Sequence, residues 1–118
     1  MKELIKRLKD VLKGNKKSFW FDIDGTLTTT NGNDYENAKP VVPMVVLVNQ
    51  LYDAGHTITL FTGRGGTSGK DWIKLTEKQL KDWDVKYHNL IMGFSKDIVI
   101  DDCSMTPEKM LEALRGKL

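Results

Sequence analysis

The sequence predicts an α/β fold of the three-layer, Rossmann-like kind, with a mainly parallel sheet held between helices. Three observations carry that prediction. Residues 18–24 read Ser-Phe-Trp-Phe-Asp-Ile-Asp, a short apolar run without alternation, as expected of a parallel strand buried on both faces. Segments of helical period separate the strand-like runs, which is the crossover that parallel neighbours require. The strand-like runs also end in small and polar residues, where a sheet of this type opens onto its ligands.

Taken in order, Leu4, Ile5, Leu8, Val11 and Leu12 recur at spacings of three and four between lysines. They predict an N-terminal amphipathic helix within residues 1–16, stopped at Gly14. The first strand follows from Lys17 and ends in an Asp-Gly-Thr turn. Thr28 to Lys39, rich in Thr, Asn, Gly and Asp, reads as a surface loop. Val41 to Ala54 carries valines that favour a strand. Pro40, Pro43, the Met44/Leu47/Val48/Leu51 spacing and the terminal Gly55 favour a helix, and the need for a crossover decides for helix. Thr57 to Phe61 alternates and predicts a second strand, followed by a Gly-rich loop from Thr62 to Gly69. Trp72, Leu75, Leu80 and Trp83 predict a helix over 71–83. Tyr87 to Met92 and Asp97 to Ile100 read as two more short strands. Thr106-Pro107-Glu108 opens a last helix with a cap, a proline in its first turn and an acid near its N-terminus.

With 118 residues, 40% hydrophobic and 29% charged, the chain is expected to form a single domain over 1–118. That composition argues against a disordered chain or a disulfide-stapled scaffold. Its one cysteine, Cys103, has no partner for an internal bridge, so a reducing cytoplasm fits best. The longest apolar run, Val41 to Leu51, is broken by Pro43 and Asn49 and falls short of the ~20 residues of a membrane span. With no export signal visible, the expectation is a cytoplasmic protein that does not engage membranes. Charge is uneven. Residues 1–17 hold seven Lys/Arg against two acids, Glu3 and Asp10, whereas the rest holds eleven against fourteen. A basic helix of this kind can guide a polyanion, but no aromatic residues interleave with the lysines to stack bases, so a solvated face is the reading favoured.

The most polar strand ends are Asp22-Ile23-Asp24-Gly25-Thr26, Thr62-Gly63-Arg64 and Asp101-Asp102, all expected at one sheet edge. Four carboxylates together repel one another. A hard divalent cation such as Mg²⁺ is their natural neutraliser and leaves positions for phosphate oxygens. A hydroxyl, glycine amides and an arginine beside it are donors suited to a phosphoryl group. His56 and His88 read as structural or exposed, Trp20, Trp72 and Trp83 as core or packing residues, and Cys103, which no base or nucleophile accompanies, as a small packing residue.

Asp22 to Thr28 (Asp-Ile-Asp-Gly-Thr-Leu-Thr) resembles motif I of the haloacid dehalogenase-like (HAD-like) superfamily. Thr62 resembles its motif II and Asp101-Asp102 its motif IV. The stretch from Phe21 to Asn33, with Phe61-Thr62-Gly63-Arg64, is similar to small capless phosphatases of capsular or surface polysaccharide biosynthesis, and more distantly to the phosphatase domain of polynucleotide kinase-phosphatases. The resemblance implies a Mg²⁺-dependent phosphomonoester hydrolase with Asp22 as nucleophile and Asp24 as acid, then base. It implies Asp22, the Asp24 carbonyl and Asp101 as Mg²⁺ ligands, with Asp102 a further ligand or the partner of one. Thr62, Gly63 and Arg64 would bind phosphate. Gly93-Phe94-Ser95-Lys96 departs from the motif III pattern and leaves Lys96 as the candidate lysine. Neither interval that usually carries a cap has room for one, so the site is expected to be open unless Thr28 to Lys39, Gly65 to Lys70 or another subunit of a homo-oligomer covers it. Such a site suits a phosphorylated sugar or polysaccharide precursor. The alternatives are a nucleic-acid 3′-phosphatase and a catalytically weak phosphate-binding or interaction module.

Overall fold

The computed structural model describes residues 2–66 and 71–117. Its elements are α1 (Lys2–Leu12), β1 (Ser18–Asp22), β2 (Thr28–Thr29), β3 (Lys39–Pro40), α2 (Val42–Asp53), β4 (Thr57–Phe61), α3 (Ile73–Asp82), β5 (Asn89–Ile91) and α4 (Pro107–Leu114). Three strands pair in the order β1-β4-β5, both pairings parallel. The α/β architecture is therefore as the sequence predicts. It is compatible with a Rossmann-like fold without a cap.

The valine-rich segment is a helix because its apolar residues fall on one face. Met44, Leu47, Val48 and Leu51 are buried while Val42 and Val46 stay exposed. That face packs on Phe21, Ile58 and Leu60 of β1 and β4 and on Met110 and Leu114 of α4. Thr106 caps α4 by accepting from the Lys109 N–H at 3.3 Å. His56 and His88 are structural, as expected: each Nδ1 accepts a backbone N–H, from Lys17 and Ile58 respectively, at 3.0 Å. Burial, then the nearby Lys16, lowers the pKa of His56.

Three local expectations change. Thr28 to Lys39 is no plain loop: β2 and β3 pair antiparallel, and a single 3-10 turn, Tyr35–Asn37, fills the hairpin. Trp20 is 57% exposed and so is not a core residue. Residues 97–100 form no strand. Gly93 turns with φ +71°, and the Gly93 and Phe94 N–H groups donate to the carbonyls of Arg64 and Thr62 at 3.0 and 2.8 Å. The chain is thereby tied to the end of β4, and Ile98 and Ile100 are left 79% and 93% exposed. None of the described helices is long and apolar enough to cross a membrane.

Candidate functional site

Asp22 is the last residue of β1, and Asp24 lies in the turn just beyond it. Gly25 makes that turn with φ +91°, a conformation costly for any residue with a Cβ. The turn closes through Leu27 and Thr28 N–H groups on the Ile23 carbonyl at 2.9 and 3.0 Å. At the end of β4, residues 62–64 meet residues 93–95. Gly66 permits this approach, since a Cβ there would lie 2.5 Å from the Ser95 hydroxyl and 3.1 Å from the Gly63 carbonyl.

Between these segments lies a cleft of about 450 Å³. It is lined by Asp22, Asp24 and Gly63 at the strand ends, by Phe94, Ser95, Lys96 and Asp97, and by Asn33 and Tyr35. Lys96 Nζ donates to Asp22 Oδ2 at 3.2 Å, so the lysine from the departed motif does meet the strand-end carboxylate. Burial is the largest influence on Asp22 and raises its pKa above 3.8. The Lys96 hydrogen bond and charge pull it back down. Lys96→Met is therefore expected to raise the Asp22 pKa further, which NMR titration of the Asp22 carboxyl carbon checks. An unmoved or lowered value would show that the lysine does not govern this group.

Asp24 is held far more tightly. Its Oδ1 accepts from Thr28 Oγ1 at 3.1 Å and Arg64 Nη2 at 2.8 Å, its Oδ2 from Thr62 Oγ1 at 3.0 Å and Arg64 Nε at 2.9 Å. Arg64 is 1% exposed, and its Nη1 donates to Thr76 and Gln79 on α3. In this arrangement the arginine grips Asp24 from behind, and Thr62, also fully buried, stands with it. Gly63 alone of that trio lines the cleft.

Asp101 and Asp102 do not line the cleft. Both are exposed; with Cys103 they bring ligating atoms within 4.8 Å of one another. Asp102 lies 3.7 Å from Arg7 of α1, an exposed pair of small energetic weight. Asp101 Oδ1 accepts from the Cys103 thiol at 3.1 Å, which lowers the Asp101 pKa and raises that of the thiol. The expected convergence of all three polar strand ends is thus met by two, because the third needed the strand at 97–100. Asp97, Asn33, Tyr35 and Ser95 are cleft residues that sequence reasoning missed. The adjacency of Ser95 and Asp97 to Lys96, and the place of Asn33 and Tyr35 in the Thr28 to Lys39 segment expected near the site, are the signals that could have pointed to them.

The donor set suits a hard cation. Among the described residues that line the cleft none offers sulfur or imidazole, and Asp22, Asp24 and Asp97 stand against Lys96 and the Asp24-bound Arg64. Asp24 commits both carboxylate oxygens to four donors, which agrees with a role for its backbone carbonyl in metal binding.

No family model and no curated protein matches the chain. Among solved structures it is similar to an MCSG target from Vibrio cholerae, at 26% identity and TM-score 0.71, over 79% of this chain and 85% of that one. It is also similar to a chain of the Pnkp1/Rnl/Hen1 complex, at 26% identity and TM-score 0.56, over 86% of this chain and 36% of that one. A chain of the Pnkp1/Rnl/Hen1 RNA repair complex matches at 21% identity and TM-score 0.56, over 86% and 33%. This chain spans about a third of the length of the latter two. Fold and cleft together define a small Rossmann-like α/β protein with an acidic site at the C-terminal ends of parallel strands. The likeness at 26% identity to the Vibrio cholerae target and to a chain of the Pnkp1/Rnl/Hen1 complex is compatible with a HAD-like fold.

Proposed function

We propose that the protein is a Mg²⁺-dependent phosphomonoester hydrolase that works through an aspartyl-phosphate on Asp22. The observation that carries this reading is the pairing at the cleft of two carboxylates in different settings. Asp22 faces the cleft with a single lysine on it, and Asp24 is fixed by four donors two residues away. In the first step an Asp22 oxygen forms a bond to phosphorus while the bond from phosphorus to the leaving oxygen breaks. Asp24 would give that oxygen a proton from its protonated form, which requires one carboxyl oxygen to leave its hydrogen bonds with Arg64 and the neighbouring threonine. In the second step Asp24 takes a proton from water as the water oxygen attacks phosphorus, releasing phosphate and restoring the Asp22 carboxylate. Lys96 and the Gly63 amide are assigned to the phosphoryl oxygens. Thr62 and Arg64, expected from the sequence to join them, contribute in this arrangement by holding Asp24.

Mg²⁺, when bound, neutralises the charge that the phosphoryl group brings to an already acidic cleft. Asp22 and the Asp24 carbonyl would hold it, and Asp97 is the third carboxylate at hand. Asp101 and Asp102 would join only if residues 97–102 took another course.

A fold without a cap suits a large leaving group, and a phosphorylated sugar or polysaccharide precursor is the substrate proposed first. The likeness to chains of an RNA repair assembly, together with the basic residues of 1–17, supports a nucleic-acid 3′-phosphate as the second reading. Phosphate release is to be measured on p-nitrophenyl phosphate, sugar phosphates, nucleotides and 3′-phosphorylated oligonucleotides, with Mg²⁺ and with chelator. Turnover abolished by chelator is the expected result, and a steep loss with salt on oligonucleotides alone would select the second reading. Tight binding of phosphate analogues without turnover would instead make the chain a phosphate-binding module.

A further inference from the structure

Two buried polar side chains of α3, Thr76 and Gln79, take no direct part in that reaction, at 1% and 8% exposure. Both accept from one nitrogen, Arg64 Nη1, at 3.1 and 2.7 Å. The opposite edge of the same guanidinium grips Asp24. Gln79 has a second arm, since its Nε2 donates to the Tyr35 carbonyl at 2.6 Å, across 44 residues of sequence. The Tyr35 ring in turn lies over the guanidinium, 4.7 Å from Cζ to the ring centroid, and Tyr35 lines the cleft with Asn33. A planar group with donors committed on both edges and a ring over its face cannot rotate without breaking several contacts at once. Packing alone does not call for such an arrangement, because apolar residues of similar volume would fill the same space without the cost of desolvating a charge.

We propose that Gln79 is a positioning residue for the carboxylate that serves as acid and base. Through Arg64 it fixes where Asp24 points, and through Tyr35 it ties that setting to a residue that lines the cleft. The inference rests on the hydrolase reading above, in which Asp24 protonates the leaving oxygen. Its signature is a dependence on the leaving group. A p-nitrophenolate departs without help from a proton, whereas an alkoxide does not, so a displaced Asp24 slows the first step, which kcat/KM reads, only for the second class of ester, while the shared second step affects kcat for both.

The test compares kcat/KM for p-nitrophenyl phosphate and for a simple alkyl phosphate in wild type, Gln79→Leu and Gln79→Glu, with thermal melts to show that each variant folds. Gln79→Leu removes both arms. It is expected to lose about 10- to 100-fold on the alkyl ester and under about threefold on the aryl ester. Gln79→Glu keeps an acceptor for Arg64 but has no donor for the Tyr35 carbonyl. It is expected to keep the alkyl-to-aryl ratio of wild type while KM rises for both esters. Equal losses on both esters in a folded Gln79→Leu would overturn the inference and leave the hydrolase reading standing. If Gln79→Leu does not fold, Gln79→Glu decides: a retained ratio with raised KM supports the inference, and a collapsed ratio overturns it. A wild type without turnover on either ester would take down the hydrolase reading and this inference with it.

Discussion

Asp22→Asn is expected to cut phosphate release from every active monoester at least about a thousandfold, to the background of Mg²⁺ alone. The amide is the same size and still offers Lys96 an oxygen, so the loss would report the missing nucleophile and not a collapsed site. Stability is expected to move the other way. Because folding raises the Asp22 pKa above 3.8, the folded chain binds more protons than the unfolded one between those two values. This group's contribution to stability therefore falls as pH rises through that window and stays low above it. The asparagine variant lacks this penalty, so its melting temperature at neutral pH is expected to equal or exceed that of wild type. The gap should close as pH falls below 3.8. A variant that keeps more than a tenth of the activity would remove Asp22 from the reaction.

Arg64→Met is the second large effect, and it falls on the fold. The substitution leaves the partly buried Asp24 carboxylate without two charged hydrogen bonds and strips the donor from Thr76 and Gln79. Removing one member of such a pair is expected to cost about 3 kcal/mol, read as a lowered urea midpoint at unchanged slope. Adding Asp24→Asn should recover part of the loss, because no uncompensated charge then remains. A cost below about 1 kcal/mol would place the pair with ordinary surface ion pairs and deny it a structural role.

Local chemistry made most of the fold legible. The stripe of α1, the apolar run of β1 and the proline and glycine bounds of α2 each carry their structural meaning within a few residues of sequence. Where the reading went astray, the cause is non-local. Asp97 to Ile100 has the composition of a strand, but a strand needs a neighbour, and hydrogen bonds from Gly93 and Phe94 to the 62–64 loop take the chain elsewhere. Arg64 looked like a phosphate ligand because Thr-Gly-Arg ends a strand. Its partners lie 12, 15 and 40 residues away, and no pattern in the sequence reveals that they enclose it. Asp22 and Asp24 were legible as a pair, whereas their division into one carboxylate open to the cleft and one clasped from behind emerges only in three dimensions.

The position of β1 at the margin of the three-stranded sheet has a mechanical consequence. It carries Asp22 yet is braced by β4 on one side only. Backbone secured along a single edge yields at lower free energy than backbone secured along both. Asp24, two residues on, is bolted through Arg64 to a helix on the far flank. The cleft thus joins a compliant half to a stiff half. Under the proposed reaction, small adjustments to a bulky ester would be absorbed by the strand that carries Asp22, while Asp24 would stay fixed in the frame of α3.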